Sequence, residues 1–251
     1  MPNKRGSMKD VVAMIPARMG STRLPMKNLA LAAGKPLIYY AIKAAKDSGA
    51  FKRIVVNSED AVFADIARRY KAEFYQRPQQ WATSAAKSDF VVYDFVKNNP
   101  CDIVAWVNPT SPLQTGREIR EAVEYFNREH LDSLITVKNE QVHCVYKGKP
   151  VNFRYGEIFA QTQDLTPVQP FVYSVMMWRT RPFIKAFEEK GHAFFCGKVG
   201  FFPVSRLSAI IIKKDEDLAL ADRVLRGMKR GGRFKVRYDS VVKKAKGAKR
   251  K

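Results

Sequence analysis

The sequence predicts an α/β protein whose mostly parallel sheet is covered by helices on both faces. Two observations carry that expectation. Short continuous apolar runs, as in DVVAMIPA and DIVAWVNP, alternate along the chain with segments of helical periodicity. Such runs suit strands buried on both faces, which is how parallel sheets are packed.

Each element follows in order. DVVAMIPA opens as a strand. PLIYYAIKAAKDSGA is a helix with Leu37, Ile38, Ala41, Ile42 and Ala45 on one face and Gly49 near its end. RIVVNS is a strand, and AVFADIARRYKAE a helix with Val62, Phe63, Ile66, Ala67 and Tyr70 inward. After the loop RPQQWATSAAKS come a helix, DFVVYDFVKNN, a strand, DIVAWVNP, a helix, GREIREAVEYFNREH, and a strand, SLITVKN. The pattern then changes. HCVYKGKPVNFRYG reads as a hairpin with a Gly-Lys turn, followed by an irregular segment and a short helix near RPFIKAFEEKG. FFPVSRLSAIIIK returns to the main sheet, and DEDLALADRVLRGMKR is the last helix. The expected organisation is a disordered N-terminus over 1–10, an α/β core over 11–140, an inserted lobe over 141–200, the return and last helix over 201–230, and a disordered basic tail over 231–251.

Composition narrows the class. The chain has 251 residues, 46% apolar and 27% charged, as ordinary globular proteins do. No run reaches the roughly 18 apolar residues of a membrane span, and MPNKRGSMKD lacks a signal-peptide core. Cys101, Cys144 and Cys196 are odd in number and far apart, so a reducing, cytoplasmic setting is expected. Formal net charge is +21, and Gly227 to Lys251 carry eleven Lys and Arg against Asp239 alone, a net +10. A tail of that kind suits RNA, an acidic membrane surface or nuclear import, and equally suits plain solubilisation. His130, His143 and His192 have neither a motif nor helical pairing and read as surface or packed residues.

The loop after the first strand, AMIPARMGSTRLPMKNL, holds Arg18, Arg23 and Lys27, with Gly20 permitting tight or positive-φ backbone and Pro16 and Pro25 stiffening the path. Loop amides can form an anion-binding concavity to which arginine forks and a lysine add charge. A polyphosphate is the natural ligand; a basic loop solvating a sheet edge is the plainer reading. The loop is neither a Walker A motif nor GxGxxG.

Taken together, IPARMGSTRLPMKNL, LAAGKPLIYYAI, IVVNSED, RP…WATS…S and NPTSPLQ resemble the CMP-sugar synthetases, the cytidylyltransferases for sialic acid and related nine-carbon acids. The order and spacing match over roughly Val11 to Val137, with the weaker blocks QTQDLTP and DEDLALAD extending the match. The resemblance implies a Rossmann-like nucleotidyltransferase sheet. It also implies attack by the anomeric hydroxyl of a 2-keto sugar acid on the α-phosphorus of CTP, with pyrophosphate leaving. Arg18 and Lys27 are then expected on the triphosphate as catalytic groups, with Ala17, Gly20, Ser21 and Arg23 around it and Asn28 toward the nucleotide. Arg77 would face the cytosine edge, with Ser88 nearby, and Asn108, Thr110 and Ser111 would sit over the ribose and the sugar acid, joined by Gln114 and Gln163. The segment Gln141 to Gly200 resembles the region through which the family dimerises, and its aromatics Phe153, Tyr155, Phe159, Phe171, Tyr173 and Trp178 would form that interface. On their own, Arg77 reads as a surface cation, Ser88 as a helix N-cap, and Asn108 and Thr110 as strand-ending and capping residues.

The chain departs from the family in four places. Ile211 and Lys213 stand where the family's Mg²⁺-binding Asp-x-Asp pair is expected, and an ammonium offers no oxygen ligand. Asp215 and Asp217 restore the spacing and are the candidate metal ligands, although helix capping suits Asp217 as well. Lys213 is the candidate to supply charge in the metal's place. Asn108 replaces a glutamine, Gln114 an arginine, and Gln161-Thr162-Gln163-Asp164 the usual arginine-containing block. Three readings follow: an active cytidylyltransferase, a relative that binds nucleotide or sugar acid without turnover, and a different nucleotidyltransferase or tail-mediated interaction protein.

Overall fold

The computed structural model describes residues 10–83, 85–229 and 236. The expected disordered N-terminus and basic tail, with the contacts foreseen for that tail, lie outside the described residues apart from Asp10 and Val236.

Eleven strands and six helices follow one another along these residues: β1 Val11–Pro16, β2 Leu31–Ala32, β3 Lys35–Pro36, α1 Leu37–Ser48, β4 Arg53–Ser58, α2 Val62–Arg69, β5 Glu73–Gln76, α3 Ser88–Asn98, β6 Ile103–Val107, α4 Gly116–Arg128, β7 Ser133–Val137, β8 Val145–Tyr146, β9 Lys149–Pro150, β10 Phe171–Arg179, α5 Thr180–Lys190, β11 Val199–Pro203 and α6 Asp215–Lys229. Seven strands form one sheet in the order β11-β7-β10-β6-β1-β4-β5. Strand β10 runs antiparallel to both its neighbours, and every other pairing in that sheet is parallel.

The apolar runs are buried on both faces, as expected. In β1, Ala13 and Ile15 pack with Ile38, Ile42, Phe63, Ile119 and Phe126 from α1, α2 and α4. Val12 and Met14 pack on the other side with Val92, Phe95 and Phe183 from α3 and α5. Helix α1 buries the face read from its sequence, and Gly49 ends it in the left-handed region at φ 63°. A smaller core joins Ala32, Leu37, Leu113, Ile212, Ala221 and Leu225, so α6 closes over the β2–β3 hairpin.

Four expectations change. Val62 is exposed, because it begins α2 and its N–H donates to Asp60 Oδ1 at 2.9 Å. Strand β5 replaces the end of the expected helix: Lys71 takes φ 53°, and Glu73–Gln76 pairs with β4 as a short, partly exposed edge strand with no apolar run to announce it. The inserted lobe is shorter than 141–200. The excursion from the sheet lies between β7 and β10, closed at its base by the Glu140–Val168 bridge, and residues 171–203 supply β10, α5 and β11 to the main body. Trp178 is therefore a core residue and not an interface residue, fully buried with Nε1 donating to Phe194 O at 2.9 Å. Finally, the return ends as a strand at Pro203, and Ile210 to Lys213 continue as an irregular segment held by the Ile212 N–H to Thr110 O at 2.8 Å.

Candidate functional site

The sheet reverses its winding at β1, which has β4 on one side and β6 on the other. In open α/β sheets a crevice forms at the carboxyl ends of the strands flanking such a point. Here the loop after β1 and the loop after β6 part around a cleft of about 220 Å³. Its walls include Ala17, Arg18, Ser21, Lys27 and Asn28 from the first loop, Arg77, Trp81, Ala86, Ser88 and Val91 from the β5–α3 segment, and Trp106, Asn108 and Thr110 from β6 and its loop. Nine of the residues singled out in the sequence, from Ala17 to Thr110, are thus brought to one place.

Part of the cleft lining is cationic. Lys27 is half-buried at the start of a short 3-10 turn entered through Met26 in the left-handed region at φ 46°. Burial, helped by the charges of Arg23 and Arg18, holds the Lys27 ammonium below its ordinary value, with Asp217 opposing. Arg18 reaches across the cleft mouth, its Nη1 donating to Ala82 O at 3.5 Å. The loop's strained position is Met26, not Gly20: Gly20 is exposed and a Cβ there would meet nothing within 4 Å. Gly20 and Arg23 do not line the cleft, and Arg23 acts on Lys27 through its charge.

A buried ion pair fixes the floor. Arg77 Nη2 donates to Glu59 Oε2 at 3.1 Å and to Ala17 O at 2.8 Å, and both side chains are under 8% exposed. Arg77 is therefore no surface cation. Glu59 Oε1 accepts the Met19 N–H at 2.9 Å, so one carboxylate ties the basic loop to Arg77. In the sequence Glu59 appears only within the block IVVNSED; its anchoring contacts, with Arg77 and Met19, come from 18 and 40 residues away, beside a bond from its neighbour Ser58.

The lining also carries aromatic and amide groups. Trp81 and Trp106 face the cleft with Ser88, which is the first residue of α3 and makes no capping bond. Three buried polar atoms of the lining have no protein partner: Arg77 Nε, Trp106 Nε1 and Asn28 Oδ1. Asn108 organises the β6 loop: Oδ1 accepts from Thr110 N at 3.0 Å and Oγ1 at 2.8 Å, and Nδ2 donates to Tyr173 O at 3.2 Å. Thr110 does not cap α4; Thr115 does, in a reciprocal pair with Glu118.

Other expected residues fall elsewhere. Ser111 is fully buried behind the loop. Gln114 turns toward the start of α4, where its Nε2 meets Glu118 Oε2 at 3.3 Å, and it belongs to a separate groove with Tyr39, Tyr40 and Lys43. Gln163 lies on an exposed 3-10 turn of the excursion, bonded to Gln161 and Gln141. Lys213 is exposed beside the Thr110 loop and outside the lining.

The residues present do not fit a protein-held Mg²⁺. Among the described residues no three His, Cys, Asp or Glu side chains group as a metal site. Asp215 and Asp217 open the first turn of α6. Asp217 Oδ2 accepts the N–H groups of Lys213 and Lys214 at 2.8 and 2.9 Å. Against the burial that would raise it, those bonds and the two lysine charges hold its carboxyl below the usual range. Its work is helix capping, where a carboxylate is also favoured by the helix dipole.

Comparison with known proteins gives concordant findings. A family model described as Cytidylyltransferase matches residues 12–173. An N-acylneuraminate cytidylyltransferase of Escherichia coli is 35% identical over 117 residues, covering 46% of this chain and 28% of its own length. A CMP-N,N'-diacetyllegionaminic acid synthase of Legionella pneumophila is 40% identical over 120 residues, covering 45% of this chain and 52% of its own. The chain spans about half or less of the length of the curated relatives it matches. The fold is similar to that of a CMP:2-keto-3-deoxy-manno-octonic acid synthetase complexed with CTP, at TM-score 0.69 and 12% identity, covering 87% of this chain and 99% of that one.

Proposed function

The chain belongs to the cytidylyltransferase family, and from that premise we propose that it transfers the cytidylyl group of CTP to the anomeric hydroxyl of a sialic-acid-like 2-keto sugar acid. The hydroxyl oxygen bonds to the α-phosphorus, the α–β phosphoanhydride bond breaks, the hydroxyl gives up its proton, and pyrophosphate leaves. The observation that carries this reading is the polarity of the cleft. Lys27 and Arg18 supply cationic charge for the phosphates, and Arg77, Trp81 and Trp106 supply polar and aromatic surface for a base in the same lining. Catalysis then consists of positioning and neutralisation of charge on the leaving phosphates. The relatives named for acylneuraminate and diacetyllegionaminate support a nine-carbon acid as acceptor.

Pyrophosphate release from CTP tests this, with and without Mg²⁺, against a panel of nonulosonic and octulosonic acids and with Arg18→Ala as control. Release with one acid, lost in the variant, is the expected result. A second reading has its own observation, the lack of a convergent carboxylate set. It is a relative that binds CTP or the acid without turnover, and it would show as CTP-dependent thermal stabilisation with no release from any acid.

A homodimer is part of the proposal. Phe171, Tyr173, Phe195 and Phe201 are exposed together, with ring centroids 5.6 to 6.2 Å from Phe171. Exposed apolar clusters of this kind mark association surfaces. Tyr173 O also holds Asn108, which links that surface to the cleft. Sedimentation velocity is expected to give a dimer that Phe201→Asp converts to monomer; a wild-type monomer at micromolar concentration would dispose of it. A cytoplasmic setting agrees with three free cysteines and with no described helix being long and apolar enough to cross a membrane.

A further inference from the structure

We infer that Trp81 is the residue on which the nucleobase stacks, and that this contact, with Arg77, distinguishes a nucleotide from a bare polyphosphate. The inference rests on the proposed nucleotide reading of the cleft and adds a residue to which no role has been given.

Three observations place Trp81 there. Trp81 lines the cleft together with Arg77, Ser88 and Trp106. One face of the indole is already covered: Phe90 stacks on it at 4.9 Å with 12° between planes, and Phe187 backs Phe90 edge-on at 5.2 Å. The ring plane is thereby held by a second and a third aromatic, leaving the opposite face and the edges for the cleft. The turn carrying it is pinned at both ends, by the Trp81 N–H to Pro78 O at 3.0 Å and by Arg18 Nη1 to Ala82 O at 3.5 Å.

A half-exposed aromatic face held by a second ring, in a cleft it shares with Arg77, is the chemistry of base recognition. Every base has a π face, and stacking on an aromatic side chain adds affinity without regard to the base edge. Arg77 and Trp106 line the same cleft and give the base edge polar surroundings. A tryptophan needed only to cover Phe90 would be replaceable by any large apolar side chain. That difference makes the role testable.

The experiment is calorimetric titration of the full chain with CTP, CMP, ATP and tripolyphosphate, comparing wild type with Trp81→Phe and Trp81→Leu. Tryptophan fluorescence is followed in parallel. The leucine variant keeps apolar bulk over Phe90 and removes the ring, so its fold is expected to persist. Trp81→Leu is expected to weaken CTP and CMP by roughly 10- to 100-fold, from the usual worth of one stacked base. Tripolyphosphate binding stays unchanged, and Trp81→Phe binds close to wild type. CTP is expected to quench wild-type fluorescence, with the quench reduced in Trp81→Phe. Equal CTP affinity in wild type and Trp81→Leu overturns the stacking role while leaving the CTP reading in place. Binding of ATP and not CTP, lost in Trp81→Leu, sustains stacking and removes the CTP reading. Absence of any nucleotide binding by the wild type overturns both.

Discussion

Glu59→Ala is expected to lower the unfolding free energy by about 3 kcal/mol, the low end of the range for removing one partner of a buried ion pair. The variant leaves Arg77 charged and 4% exposed, with only the Ala17 carbonyl still bonded. Arg77 lines the cleft, so water admitted there offsets part of the penalty, which is why the low end applies. The Met19 N–H loses its acceptor at the same time, and the basic loop loosens. CTP affinity should therefore fall together with stability. Glu59→Gln keeps an acceptor for Met19 and Arg77 without the charge and should lie between the two. Urea denaturation reads the effect, and an unchanged midpoint with unchanged slope in Glu59→Ala would refute the anchoring role.

Lys27→Ala should weaken CTP by roughly 10- to 150-fold, corresponding to about 1.5–3 kcal/mol for a charge-assisted contact to phosphate. The pH dependence carries a sharper signature. Free Lys27 sits below its ordinary value, through burial and the charges of Arg23 and Arg18. A bound triphosphate favours the ammonium and raises that value again. Binding is then linked to proton uptake wherever free Lys27 is partly neutral. Affinity is full at low pH and falls as pH rises through the free-state value, at lower pH than an ordinary lysine would give. Lys27→Arg, which stays protonated, should retain binding and flatten this fall. Titrations in buffers of different ionisation heat measure the uptake; a wild-type profile identical to that of Lys27→Arg would rule out Lys27 as the phosphate cation.

Much of the fold was legible because it rests on local rules. The face of α1 follows from periodicity, and the buried strands from their unbroken apolar runs. The short strand β5 was hidden because its stability comes from pairing with β4 and not from its own residues. Strand β10 was hidden for a related reason: an antiparallel strand between two parallel neighbours breaks the strand–helix rhythm used to find it. Arg18 and Lys27 stood out in the sequence as loop cations, Asn28 and Asn108 were singled out only through the family resemblance, and the fold brings all four to one cleft. Gln114 is not among them: its neighbours in sequence surround the cleft, yet its side chain turns to α4.

By itself the sequence determined a parallel α/β sheet with a cationic loop at its first carboxyl end, because spacing and residue type settle what a segment does with its own neighbours. Only the tertiary structure decided that Glu59 would anchor that loop to Arg77, that Trp81 would be held against Phe90, and that Asp217 would accept the Lys213 and Lys214 N–H groups at the start of α6. Those outcomes depend on which distant groups meet and on which of their hydrogen bonds are already filled, and neither quantity exists until the sheet has closed.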